Sequence, residues 1–278
     1  YEELRDVLVN DNGYNKVYFA NDIDGSAATF NIQPHQNKRN VVISGDDPRT
    51  ATVEKFKFTE RNVSGATAGI NLRTVNSDIG TFTFENLDMV GRNYYGPCSV
   101  ALSSTNQNIE LVFRNVDYIG PQIVYNRYGS VVFDNFTFVS DTDRIYSASP
   151  VEEIAEVSRV TFRNKVEIRF KPAGSSAGFW YPYAATTYGN TFTVEPGADV
   201  TIYVERNSGY PGLYDGPNVT LAVGAGGSLV IHTYDTLHRE EITDDFSSVT
   251  IKENGTLEVM QSANTNTTAT MRISGSLN

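Results

Sequence analysis

Residues 84–89 read FENLDM, residues 113–118 FRNVDY, residues 133–138 FDNFTF and residues 162–168 FRNKVEI, the last with one extra residue. One pattern underlies all four: Phe, a charged residue, Asn, then apolar residues at alternate positions. Phe84, Phe113, Phe133 and Phe162 are spaced 29, 20 and 29 residues apart, a period expected when each repeat is one turn of a solenoid. The series continues as VEPGADVTI at 194–202, VGAGGSLVI at 223–231 and IKENGTLEV at 251–259, with Gly197, Gly226 and Asn254 at the equivalent offset. Asn and Gly share the property of entering the left-handed backbone region cheaply, and a sharp corner between two strands needs one residue there. Each repeat is therefore strand, tight corner, strand. Stacking the turns in parallel places Phe over Phe and Asn over Asn, with the alternate apolar residues turned inward. A buried Asn ladder would satisfy its own amides along the stack.

The fold class that follows is all-β, a right-handed parallel β-helix with a short N-terminal capping helix. Leucine-rich repeats share the period but need a leucine-dominated consensus and usually a helical segment per turn. A β-sandwich needs antiparallel hairpins at short regular spacing and is the more distant alternative. Residues 1–10 read as the cap, because Leu4, Val7 and Leu8 fall on one helical face that can close the open end of a stacked core. Residues 11–278 read as solenoid rungs, giving one domain over 1–278. Lys16–Phe19 is expected as a strand, Asp22–Gly25 as a turn and Val41–Gly45 as the first full rung. Pro150–Val157 is expected as a short helical excursion opened by its Pro, and Met271–Gly275 as one more strand. The chain begins at Tyr1 without Met and shows no closing cap, so it is expected to be a segment of a longer surface protein.

Composition agrees with a large all-β unit. Of the 278 residues, 40% are hydrophobic and 12% aromatic, and Val, Ile, Thr, Tyr and Phe recur in short runs bounded by Asn, Gly, Asp and Ser. Lys and Arg number 22 against 33 for Asp and Glu, a formal charge of −11. Such a field repels nucleic acid and anionic membranes. No stretch approaches the roughly 20 apolar residues of a membrane span. Cys98 is the only cysteine, which excludes an internal disulfide and a Cys-based zinc site; with no His near it in sequence it reads as a buried thiol.

The opening helix with Leu4, NDI at Asn21–Ile23, NVVISG at Asn40–Gly45, VTFRNKVEI at Val160–Ile168, VEPGADVTI at Val194–Ile202 and VTIKENGTLEV at Val249–Val259 occur in an order that covers nearly the whole chain. In this the sequence resembles the pectate-lyase-like adhesive domain of Gram-positive bacterial surface proteins. The resemblance implies an extracellular, wall-anchored ligand-binding module that shares its fold with pectate lyases. It assigns no particular functional residues.

Outward positions are where a β-helix enzyme acting on acidic polysaccharide would carry its carboxylates and its Arg or Lys. The residue between Phe and the corner runs Glu85, Arg114, Asp134, Arg163, Glu195, a sign-alternating ladder that reads as scaffold. Asp88 and Asp117 fall on neighbouring rungs and repel unless a cation such as Ca²⁺ or a shared proton neutralises them. Thr137 follows them at the same place, and no third carboxylate completes a cluster. The doublets Asp46-Asp47 and Asp244-Asp245 read as turns. His35, His232 and His238 show no metal-binding spacing and no repeat-locked position, so no cofactor is expected. The ligand-binding candidates are instead aromatic: Phe179, Trp180, Tyr181, Tyr183 and Tyr188 in the longest interval between repeats, and Tyr94 and Tyr95 after an earlier corner. Tyr210 and Tyr214 fall in another loop. Planar rings on loops stack on sugars or anchor proteins.

Three functions fit. The first is an adhesin-like module that binds a glycan or protein on a host, matrix or cell surface without catalysis. The second is a lyase or glycoside hydrolase acting on acidic polysaccharide. The third is a passive stalk of a wall-anchored protein.

Overall fold

The structure, a computed structural model, describes residues 1–61, 69–72, 80–92, 96–99, 109–140, 155–170, 180–181, 190–204, 219–233 and 248–261. A helix, α1 (Glu2–Val9), opens the chain. The strands follow as β1 (Lys16–Tyr18), β2 (Ile23–Asp24), β3 (Val41–Ser44), β4 (Phe56–Thr59), β5 (Ile70–Asn71), β6 (Thr81–Val90), β7 (Cys98–Ser99), β8 (Glu110–Gly120) and β9 (Val124–Ser140). Beyond them come β10 (Ala155–Phe170), β11 (Trp180–Tyr181), β12 (Asn190–Val194), β13 (Asp199–Val204), β14 (Val219–Val223), β15 (Ser228–Thr233), β16 (Ser248–Ile251) and β17 (Thr256–Gln261).

All the pairings between these strands are parallel, and they sort into three walls of a parallel β-helix. The first wall stacks β1, β3, the front of β6 and β8, the middle of β9 and β10, then β12, β14 and β16. The second, beyond the corner, stacks β2, β4, the ends of β6, β8, β9 and β10, then β13, β15 and β17. The third runs from Ile32 through β5, β7 and the starts of β9 and β10 to β11.

The corner between the first two walls behaves as its residue types require. Asn86, Asn115, Asn135, Asn164 and Asn254 have φ between 48° and 56°, and Gly197 and Gly226 lie at 72° and 64°. Asn40, at φ 46°, and Gly80, at 74°, form a further left-handed pair just before the first-wall strands β3 and β6. The Asn side chains do not form the buried ladder anticipated from the sequence. They are half-buried or exposed, and among the described residues only Asn115 donates to the neighbouring corner Asn, Nδ2 to Asn86 Oδ1 at 2.7 Å. Asn164 Nδ2 instead donates to Asp134 Oδ1 at 2.7 Å. Backbone conformation, rather than a ladder of amides, selects Asn here.

Inside, the in-register Phe column carries the core. Phe84 and Phe113 stack at 5.4 Å with planes 5° apart, Phe113 and Phe133 at 5.9 Å, and Phe133 and Phe162 at 5.7 Å. All four are fully buried. Burying each stabilises by about 1.5–3 kcal/mol, with roughly 0.5–1.5 kcal/mol more per ring pair. On the second wall the inward column runs Phe58, Met89, Tyr118, Phe138, Ile168, Ile202, Ile231, Val259. Helix α1 closes the N-terminal end as expected: Leu4 and Leu8 are buried in the same core, and the Tyr1 ring packs 6.3 Å from Phe58. Val7 lies on the helix flank and is only partly covered.

Three expectations are overturned by strand pairing. Ile23–Asp24 is a strand against Phe58–Thr59, not part of a turn. The turn of β1, β2 and Ile32 is already three-walled, so Val41 begins the second rung rather than the first. Ala155–Val157 is strand, paired with Val124–Asn126, because bonding to the preceding rung outweighs a weak local helical tendency; residues 150–154 lie outside the described residues. Asp47 does sit in a turn: the guanidinium of Arg49 and its backbone amide both donate to it, which holds its carboxyl down at about 2. Met271–Gly275, Asp244 and Asp245 lie outside the described residues.

Candidate binding surface on the second wall

From β4 onward the second-wall strands turn alternate positions outward, and the register assembles them into two columns along the solenoid axis. The column nearer the corner reads Lys57, Asp88, Asp117, Thr137, Glu167, Thr201, Val230, Glu258. The next reads Thr59, Val90, Ile119, Val139, Arg169, Tyr203, His232. Between their N-terminal halves runs an open groove of about 470 Å³, with Lys57, Asp88, Asp117 and Thr137 on one side and Val90, Ile119 and Val139 on the other. Val90 is buried in its floor, while Val139 is 43% exposed.

The two aspartates are directly opposed across adjacent strands, as their repeat positions require, and the protein supplies the neutralising cation itself. Lys55 Nζ lies 2.6 Å from Asp117 Oδ2, and the Thr137 hydroxyl donates to Asp117 Oδ1. Partial burial works to raise the Asp117 pKa, but these two donors outweigh it and hold the carboxyl below its ordinary value. Asp88 is pushed the other way, chiefly by desolvation, with Asp117 and Asp22 adding to the rise against Lys55 and Lys57. None of the described residues donates a hydrogen bond to the Asp88 carboxylate. Asp22 closes the start of the column by accepting the Lys57 amide at 2.8 Å. Among the described residues no three of His, Cys, Asp or Glu converge as a metal site.

The column continues into a stack of planar groups. The Arg169 guanidinium lies 4.2 Å from the Tyr203 ring centroid and also bonds Glu167 at 2.8 Å. On the other face of Tyr203 the His232 ring stacks at 4.5 Å and 8°. His232 is thus locked to the repeat through its pairing with Tyr203, contrary to the sequence reading. The signal was available: Val90, Ile119 and Val139 each stand four residues past a corner Asn, and Tyr203 and His232 each six past a corner Gly. The mixed chemistry of the column hides that regularity.

The first-wall charge ladder is as expected. Arg114 bridges Glu85 at 3.6 Å and Asp134 at 3.2 Å, and Arg163 meets Glu195 at 2.7 Å. These charges serve the scaffold. His35 is partly exposed, 3.8 Å from Asp11. Cys98 is wholly buried, and burial drives its thiol well above the ordinary range. Of the aromatic candidates, Trp180 and Tyr181 form β11 on the third wall against Ala155–Glu156, so they are strand residues and not loop; their side chains lie outside the described residues. So do Tyr94, Tyr95, Phe179, Tyr183, Tyr188, Tyr210, Tyr214 and His238.

One comparison with known families bears on this surface. Residues 1–125 match the family model described as "Putative pectate lyase-like adhesive domain". No curated protein and no solved structure matches the chain. The adhesive-domain match takes in α1, the first rungs, and the Lys55, Asp88 and Asp117 end of the groove. It stops within β9, while the parallel register continues through β17. The matched segment places the chain's likeness with adhesive modules, and among the described residues no helix is long and apolar enough to cross a membrane.

Proposed function

We propose that the chain is an adhesin-like module, displayed outside the cell on a wall-anchored protein, that binds a glycan or protein component of a host, matrix or cell surface and does not turn it over. The observation that carries this reading is the adhesive-domain match over residues 1–125, the segment that supplies most of the groove. The engagement of outward carboxylates supports it. Glu85, Asp117, Asp134, Glu167 and Glu195 are each held by a scaffold cation, which is the arrangement of a stabilised surface. A hydrolase would instead have carboxylates converging on a scissile bond.

One feature favours the enzymatic alternative: Asp88 and Asp117 are neighbours whose proton affinities diverge, as those of an acid and base do. Both readings are tested together. Beads coated with the protein are assayed for retention on glycan arrays and matrix proteins, and the soluble protein is assayed for new reducing or unsaturated ends on acidic polysaccharides. Retention without product supports the adhesin. Product formation abolished by Asp88→Asn establishes the enzyme, and neither retention nor product leaves the stalk.

A further inference from the structure

The second-wall groove also constrains what it binds. One side and part of the floor are aliphatic, from Val90, Ile119 and Val139, with Met89 and Tyr118 buried beneath, and its other side carries Lys57, Asp88, Asp117 and Thr137. Of those two carboxylates Asp117 is already satisfied by Lys55 and Thr137. Asp88 faces the groove with no hydrogen bond from any of the described residues, and of the charges around it Asp117 and Asp22 stand against Lys55 and Lys57, which leaves one carboxylate in excess. A polyuronate or an anionic lipid surface would bring more negative charge to that point and to a chain of net charge −11. A neutral pyranose is recognised largely by stacking on an open aromatic face. On this wall the ring of Tyr203 has Arg169 on one face and His232 on the other, and the ring that lines the groove, Tyr118, is buried and stacked on Phe138.

We propose that the groove takes a short extended peptide segment of a partner protein, aliphatic on either side of one Lys or Arg, with the cationic head at Asp88 and the aliphatic side chains on Val90, Ile119 and Val139. The inference rests on the adhesin reading above and narrows it to a protein partner. Two rung steps separate Val90 from Val139, about 10 Å at roughly 4.8 Å per step, which an extended peptide spans in about three residues. A contact so small is weak alone and suits a module that gains strength by multiple attachment.

The test uses the whole chain and a fluorescently labelled, end-blocked peptide Val-Ile-Lys-Val-Ile, read by polarisation, against the same peptide with norleucine or Glu for Lys and against neutral and uronate oligosaccharides. Binding is expected only for the Lys peptide. It should fall about two- to fivefold with Asp88→Asn and more than about tenfold with Asp88→Lys, and about fivefold with Ile119→Ser. Raising the salt should weaken it. Equal binding of the norleucine peptide, insensitivity to Asp88→Lys, or displacement of the peptide by a neutral oligosaccharide overturns the proposal. If the beads still adhere while no peptide binds, this inference fails and the adhesin reading stands; if the beads do not adhere, the adhesin reading itself fails.

Discussion

Gly197 offers the cleanest test of why the corners alternate between Asn and Gly. Its φ is 72°, and a Cβ added there meets nothing within 4 Å, so substitution brings conformational cost without collision. Its amide donates to Ala225 O at 3.0 Å, a bond any residue but Pro retains. For Ala the left-handed region costs about 1–2 kcal/mol, offset by about 0.4–1 kcal/mol from the reduced freedom of the unfolded chain. Gly197→Ala should therefore lose about 1 kcal/mol, and Gly197→Asn should stay within about 0.5 kcal/mol of the parent. Gly226, at φ 64° with the same open space, should behave alike, and the double Ala variant should lose about 2 kcal/mol. Urea unfolding at constant m gives the global value. Because turns of a solenoid interact mainly with their neighbours, hydrogen exchange of the peptide spanning 194–204 gives the local one. The reasoning is refuted if Ala is tolerated as well as Asn, or if Asn costs as much as Ala.

Phe113→Ala removes a fully buried ring stacked between Phe84 and Phe133 and should cost about 3–5 kcal/mol by chemical denaturation. The two groove aspartates should respond oppositely to pH. The depressed Asp117 contributes stability that is present above its unfolded pKa and lost as pH falls through its lower folded value. The raised Asp88 contributes stability below the unfolded value, lost as pH rises through its folded one. At neutral pH Asp117→Asn should thus lower the midpoint of thermal unfolding and Asp88→Asn should hold or raise it; the reverse order would show that Lys55 is not committed to Asp117. Cys98, buried with its thiol pushed far up, should react with thiol reagents only in denaturant, and fast labelling of the native chain would contradict its place in the core.

The parts of the fold visible in the sequence are those where one residue type has one physical job. A left-handed corner admits Asn or Gly, and an inward column under constant packing repeats Phe, so both leave a period. The third wall leaves little trace, since its strands β5, β7 and β11 are two residues long, too short for alternation to register. Ile23–Asp24 carries turn vocabulary, yet the partner Phe58–Thr59 decides its conformation. The candidate surface was half legible. Asp88 and Asp117 followed from the repeat, whereas Lys55, which neutralises Asp117 from two rungs away, stands outside the repeated string. The Val90 to His232 column shares a position but no chemistry.

Register is the claim on which the core, the corners and the groove all depend, and distances along one outward column measure it directly. On a Cys98→Ala background, spin labels at Asp88→Cys and Glu258→Cys span six ladder steps, through Asp117, Thr137, Glu167, Thr201 and Val230. Labels at Thr137→Cys and Glu258→Cys span four. At roughly 4.8 Å per step the expected separations are about 29 Å and about 19 Å, before the reach of the labels. Two distances differing by about 10 Å support the stacked register, and two that are equal, or in the opposite order, contradict it.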